Sequence, residues 1–144
     1  MIDSLPALLT DPDATRELGE RLGNAAQSGQ VIALVGDLGS GKTTTAQGIV
    51  GSLGYQEEVT SPTFSLVQEY RGGRLDVFHF DFYRVESDHE LLDLGWDDYL
   101  DQDGLVIVEW PTLFPHLLSA DAIWLQLSHR ENGRYAEIIP APCG

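Results

Sequence analysis

Apolar positions first recur at helical spacing. Ala14, Leu18, Leu22, Ala25 and Ala26 would share one face of a helix. Asp11 offers that helix an N-cap, Pro12 suits its first position, and Gly29 predicts its end. The pattern then changes to a continuous apolar run, Val31 to Val35 within Gln30–Val35, as expected of a buried parallel strand. A glycine-rich stretch follows, and Thr43 to Leu53 reads as a second helix ending at Gly54. Thr63–Tyr70 and Arg74–Tyr83 alternate like strands around Gly72-Gly73, a hairpin signal. In the second of these, Phe78, Phe80 and Phe82 point one way while His79, Asp81 and Tyr83 point the other. Glu86–Leu94 and Trp96–Leu100 predict short helices. Leu105–Val108 is a second buried strand, stopped by Glu109-Trp110-Pro111. Ala122–Ser128 and Arg134–Ile139 predict a last hairpin around Glu131-Asn132-Gly133.

The glycine-rich stretch carries the chemistry. Gly36-Asp37-Leu38-Gly39-Ser40-Gly41-Lys42-Thr43 fits G-x-x-x-x-G-K-[ST], directly after an apolar strand and at the start of a helix. Its glycines let the backbone curl with N–H groups turned inward around phosphate oxygens, and the helix dipole adds to the attraction. Lys42 would reach the β- and γ-phosphates, and the Thr43 hydroxyl would ligate Mg²⁺. The expected fold is therefore an α/β sandwich of the P-loop NTPase kind, with a mixed sheet and antiparallel hairpins added at an edge. At 144 residues the whole chain, 1–144, reads as one such domain with a short flexible tail from about 140.

Charge narrows the partners. Eight basic residues against 23 acidic ones give a net charge of −15, too negative to grip a nucleic-acid backbone directly. That balance serves either solubility or docking to a basic protein surface. Lys42 is the only lysine. Guanine recognition through N/T-K-x-D would need another, so adenine is the expected base. No apolar run approaches the roughly 18 residues of a membrane span, and Met1–Thr10 carries Asp3 and no basic residue, unlike a signal peptide. The single cysteine, Cys143, leaves no internal disulfide. The expected compartment is the cytoplasm, with no membrane contact.

A P-loop ATPase also needs a carboxylate at the end of a neighbouring buried strand. Glu109 stands there and is expected to hold the metal or position water. Asp81 either positions the attacking water or pairs with Arg84 at the surface. His79 reads as a satisfied sheet histidine. Thr60, Ser61 and Thr63 around Pro62 form either a switch loop sensing the γ-phosphate or a proline turn entering a strand. Trp110 is either core or a surface for stacking a base or a partner. Arg130 and Arg134 lie either near the adenine or in solvent.

Several segments together resemble the TsaE (YjeE) family, the ATPases of bacterial tRNA threonylcarbamoyladenosine synthesis. Val35–Thr44 is similar to its GDLGAGKTT loop, with Ser40 in place of alanine. Val59-Thr60-Ser61-Pro62-Thr63-Phe64 resembles its SPTF loop, His79–Arg84 its H-x-D-x-Y-R strand, and Val108-Glu109-Trp110-Pro111 its V-E-W motif. The resemblance implies a subunit that binds and hydrolyses Mg²⁺–ATP, weakly when alone. Its implied partners are TsaB and TsaD, which install threonylcarbamoyl on adenosine 37 of tRNAs reading codons that begin with A, and it would meet tRNA only through them. It also implies Lys42 as the phosphate lysine, Thr43 and Glu109 as metal ligands, and Asp81 as a catalytic aspartate. Thr44, Ser61, Thr63 and Trp110 join Gly36, Asp37, Leu38, Gly39, Ser40 and Gly41 as nucleotide-site residues. The rival readings are a small-molecule P-loop kinase, for which the seven unclustered arginines supply no evident lid, and a nucleotide-gated binding subunit with incidental hydrolysis.

Overall fold

A computed structural model describes residues 5–37, 39–60, 62 and 65–141. One seven-stranded sheet runs in the order β1-β7-β6-β2-β5-β4-β3, built from β1 (Ala7–Leu9), β2 (Val31–Val35), β3 (Val67–Tyr70), β4 (Asp76–Asp81), β5 (Gly104–Glu109), β6 (Ile123–Arg130) and β7 (Gly133–Ile139). The four central strands, β6, β2, β5 and β4, are parallel, while β3, β7 and β1 pair antiparallel. The fold is the expected mixed α/β one, but antiparallel strands flank both edges instead of one. At the second edge lies β1, a strand the periodicity did not predict.

Helices cover both faces. Against one face lie α1 (Pro12–Ala25) and α2 (Lys42–Ser52), where Leu18, Leu22, Ala46, Ile49 and Val50 pack on Ile32, Leu34, Ile107, Leu125 and Leu127. The Asp11 carboxylate accepts the Ala14 N–H at 2.8 Å and so caps α1, a contact worth about 1 kcal/mol. The two helices cross at glycines. A Cβ on Gly19 would strike the Thr45 carbonyl, and one on Gly48 would strike the Arg16 carbonyl.

Two short helices, α3 (Asp88–Leu94) and α4 (Trp96–Asp101), cover the other face with the 3₁₀ turns Pro111–Leu113 and Pro115–Leu117. There Phe78, Phe80 and Phe82 pack with Leu91, Trp96, Val106, Val108 and Trp124. Phe80 meets Trp96 edge-on at 4.9 Å between centroids. The alternation seen in β4 thus becomes a division of labour. The phenylalanines fill this core, and His79 and Asp81 face the side of α2.

The chain leaves β2 towards β4, returns to β5, and then crosses to β6 on the far side of β2. The topological switch point of the sheet therefore lies at the carboxyl end of β2, where open α/β sheets bind their ligands.

Candidate functional site

The turn after β2 brings the glycine-rich loop to that switch point. Gly39 and Gly41 have φ of 75° and 106°, a left-handed conformation that side-chain-bearing residues adopt at a cost. Gly41 then serves as the N-cap of α2 without a side chain in the way. The backbone N–H groups of the first turn, at Lys42, Thr43 and Thr44, are those a helix leaves without internal partners. Ser40 lies fully buried beneath the loop, and its hydroxyl has no hydrogen-bond partner among the described residues.

Lys42 is 5% exposed. Its Nζ donates to the Gly36 carbonyl at 2.6 Å and stands 3.7 Å from the centroid of the Trp110 ring. Burial pushes the ammonium below the ordinary lysine value, against the opposing pull of Glu109, Asp81 and Asp37. Trp110 itself has φ 58°, left-handed and uncommon for a bulky side chain. This conformation breaks β5 directly after Glu109 and turns the chain into the next 3₁₀ turn. The indole packs on Tyr83 at 5.1 Å.

The two carboxylates arrive through strand register. Asp81 and Glu109 are direct partners in the parallel β4–β5 pairing, both at strand ends. Both are buried, at 2% and 3% exposure. Asp81 Oδ1 accepts the Tyr83 N–H at 2.9 Å, and Glu109 Oε2 lies 2.7 Å from His79 Nε2.

These groups converge on a cavity of about 410 Å³. Of the sequence-derived candidates, Gly39, Gly41, Lys42, Thr43, Thr44, Asp81, Glu109 and Trp110 line it. Gly36 and Asp37 line a second cleft of about 400 Å³, on which Trp110 also borders, with Gln126, Ser128 and His129. Leu38, Ser61 and Thr63 lie outside the described residues. The remaining cavity wall was not assigned from sequence: Leu9, Thr10, Asp11, Pro12 and Thr15, with Gly133 and Arg134 brought beside Leu9 by the β1–β7 pairing. Arg134, left open above, reaches across from β7 to donate from Nε to the Gly39 carbonyl at 3.0 Å. Arg130 instead stacks on Tyr135 at 4.8 Å.

Among the described residues, no group of three or more His, Cys, Asp or Glu side chains could hold a metal ion by itself. Nor is any helix of the described residues long and apolar enough to cross a membrane.

Comparison with known proteins identifies the family. Residues 9–136 match the family model described as threonylcarbamoyl adenosine biosynthesis protein TsaE. A tRNA threonylcarbamoyladenosine biosynthesis protein TsaE from a Nostoc species is 39% identical over 94% of this chain and 85% of its own length. The protein of the same name from Bacillus subtilis is 38% identical over 78% of this chain and 70% of its own. A crystal structure of Bacillus subtilis YdiB superposes with a TM-score of 0.82 at 28% identity, covering 96% of this chain and 86% of that one. With a family match across most of its length, and relatives at this identity over most of theirs, the chain belongs to the TsaE family.

Proposed function

We propose that this protein binds Mg²⁺–ATP with its phosphates in the loop Gly36–Thr43 and hydrolyses it in support of tRNA threonylcarbamoyladenosine synthesis in the cytoplasm. The names of its relatives supply the pathway. The observation that carries the chemistry is the convergence of one lysine and two buried carboxylates, Lys42, Asp81 and Glu109, on the cavity at the N-terminus of α2.

The donor set suits Mg²⁺. Thr43 and Glu109 offer hard oxygen ligands, too few for an all-protein cage and appropriate for an ion that keeps water and phosphate oxygens in its shell. Bound there, Mg²⁺ would neutralise charge on the β- and γ-phosphate oxygens. The residues of the chain do the rest. The N–H groups of the loop and of the first turn of α2 hold the phosphates, and Lys42 exchanges the Gly36 carbonyl for phosphate oxygens. Asp81 and Glu109 orient a water for attack on the γ-phosphorus, whose bond to the β-bridging oxygen breaks to release ADP and phosphate. Burial of both carboxylates strengthens their field at the reacting atoms.

The acidic surface suits an arrangement in which TsaB and TsaD, and not this chain, meet the tRNA. The test is steady-state ATP hydrolysis by the wild type and by Glu109→Gln, each alone and with TsaB and TsaD. Hydrolysis raised by the partners and lost in Glu109→Gln, with ATP binding kept, is the expected result. Phosphorylation of a metabolite in proportion to ADP would establish a kinase instead, and absence of hydrolysis under every condition would leave a nucleotide-gated binding subunit.

A further inference from the structure

His79 is fully buried and sits on β4 beside Val77, on the face that packs against α2. An apolar side chain there would extend the core without desolvating an imidazole. What the imidazole adds is one contact, Nε2 to Glu109 Oε2 at 2.7 Å. Among the described residues it is the hydrogen-bond partner of the Glu109 side chain, and His79 Nδ1 has none. With Glu109 as a carboxylate, Nε2 must carry the proton and donate. In the neutral imidazole Nδ1 is then a bare acceptor, which is cheaper to leave unpartnered than a buried N–H.

The register makes this arrangement rigid. His79 lies opposite Ile107 and Asp81 opposite Glu109 in the β4–β5 pairing. Two residues of one strand, on one face, therefore supply the group that holds the first carboxylate and the second carboxylate itself. A carboxylate at the end of a strand can otherwise rotate about its terminal torsion, which is broad and poorly set by sterics.

We propose that His79 is the positioning residue for Glu109: its Nε2–H pins one carboxylate oxygen and so presents the other to the cavity where metal and attacking water are handled. This rests on the role of Glu109 proposed above. His79 does not line the cavity; it acts through Glu109, as outer-shell donors do for metal-binding carboxylates.

The test compares His79→Leu, His79→Gln, Glu109→Gln and the double variant His79→Leu/Glu109→Gln, using the full chain with its partner proteins. ATP hydrolysis is measured as kcat and KM, ADP affinity by calorimetry in EDTA and in Mg²⁺, and folding by thermal midpoint. His79→Leu should lower kcat about 10- to 100-fold. It should keep ADP affinity in EDTA and lose most of the gain in affinity that Mg²⁺ confers. Glutamine, whose side-chain N–H₂ can take the place of Nε2–H, should recover most of both. The double variant should gain no less ADP affinity from Mg²⁺ than Glu109→Gln alone.

Wild-type kcat in His79→Leu, beside an inactive Glu109→Gln, overturns the proposal while leaving the role of Glu109 intact. So does a His79→Leu variant that keeps the full gain in ADP affinity from Mg²⁺, or a glutamine variant that folds normally without recovery. Unchanged hydrolysis in Glu109→Gln removes the role of Glu109 and the proposal with it. Should His79→Leu fail to fold, His79→Asn, whose amide is too short to reach Oε2, replaces it against the same glutamine variant.

Discussion

Lys42 and Trp110 form a cation–π pair, with Nζ 3.7 Å from the ring centroid. A phosphate that engages this lysine places negative charge beside the ring and changes the environment of the indole. Trp96 and Trp124 are buried at 1% and 2% exposure, so Trp110 is the tryptophan that borders the cavity. Intrinsic fluorescence of the wild type should therefore change on adding ATP or ADP. The change should be absent in Trp110→Phe even where calorimetry shows that nucleotide still binds. An equal signal change in Trp110→Phe would place the reporter elsewhere.

The same lysine predicts a pH effect. Its pKa is lowered from 10.5 chiefly by burial. The folded chain therefore gives up this proton at a lower pH than the unfolded chain does. Between the two values the unfolded state binds more protons, and stability contributed by this group rises with pH. Below the folded-state value the destabilisation is present in full. Urea unfolding of the wild type and Lys42→Met should show the wild type gaining on the variant as pH is raised from neutral towards 10.5. A difference independent of pH would contradict this assignment.

Arg134 ties β7 to the glycine loop through the Gly39 carbonyl. The contact is exposed, so its contribution is at most about 1 kcal/mol, which corresponds to roughly a fivefold change in binding. Arg134→Gln should weaken nucleotide affinity by about that factor without moving the thermal midpoint much. Affinity unchanged from the wild type would leave Arg134 as wall and nothing more.

Gly48→Ala should invert the usual helix preference. In an open helix the substitution stabilises by about 1 kcal/mol. Here the added methyl meets the Arg16 carbonyl across the α1–α2 crossing, and overpacking of this kind costs about 1–3 kcal/mol. Denaturant unfolding should show a less stable variant, and a gain in stability would mean that the helices can move apart freely.

What was legible in the sequence follows from how local each signal is. Val31–Val35 and Leu105–Val108 could be read because strands buried on both faces are apolar without interruption. The glycine loop was readable because its chemistry is written in consecutive residues. The pairing of His79 with Glu109 depends on the register between two strands separated by α3 and α4, which no local pattern encodes. The strand β1 has three residues and no period to detect. The cavity wall from Leu9 to Thr15 had no local signal either, and the place of Arg134 stayed open, since an early and a late segment meet there only through the pairing of Leu9 with Arg134.

That outer pairing also imposes an order on folding. In the sheet β1 bonds to β7 alone, with Leu9 opposite Arg134, and both residues wall the cavity. During synthesis the glycine loop and α2 emerge early, while β1 waits for β7 before it can join the sheet. The glycine loop springs from β2, whose neighbours β5 and β6 both come later in the chain, and the wall at Leu9 and Arg134 closes only after β7 has emerged.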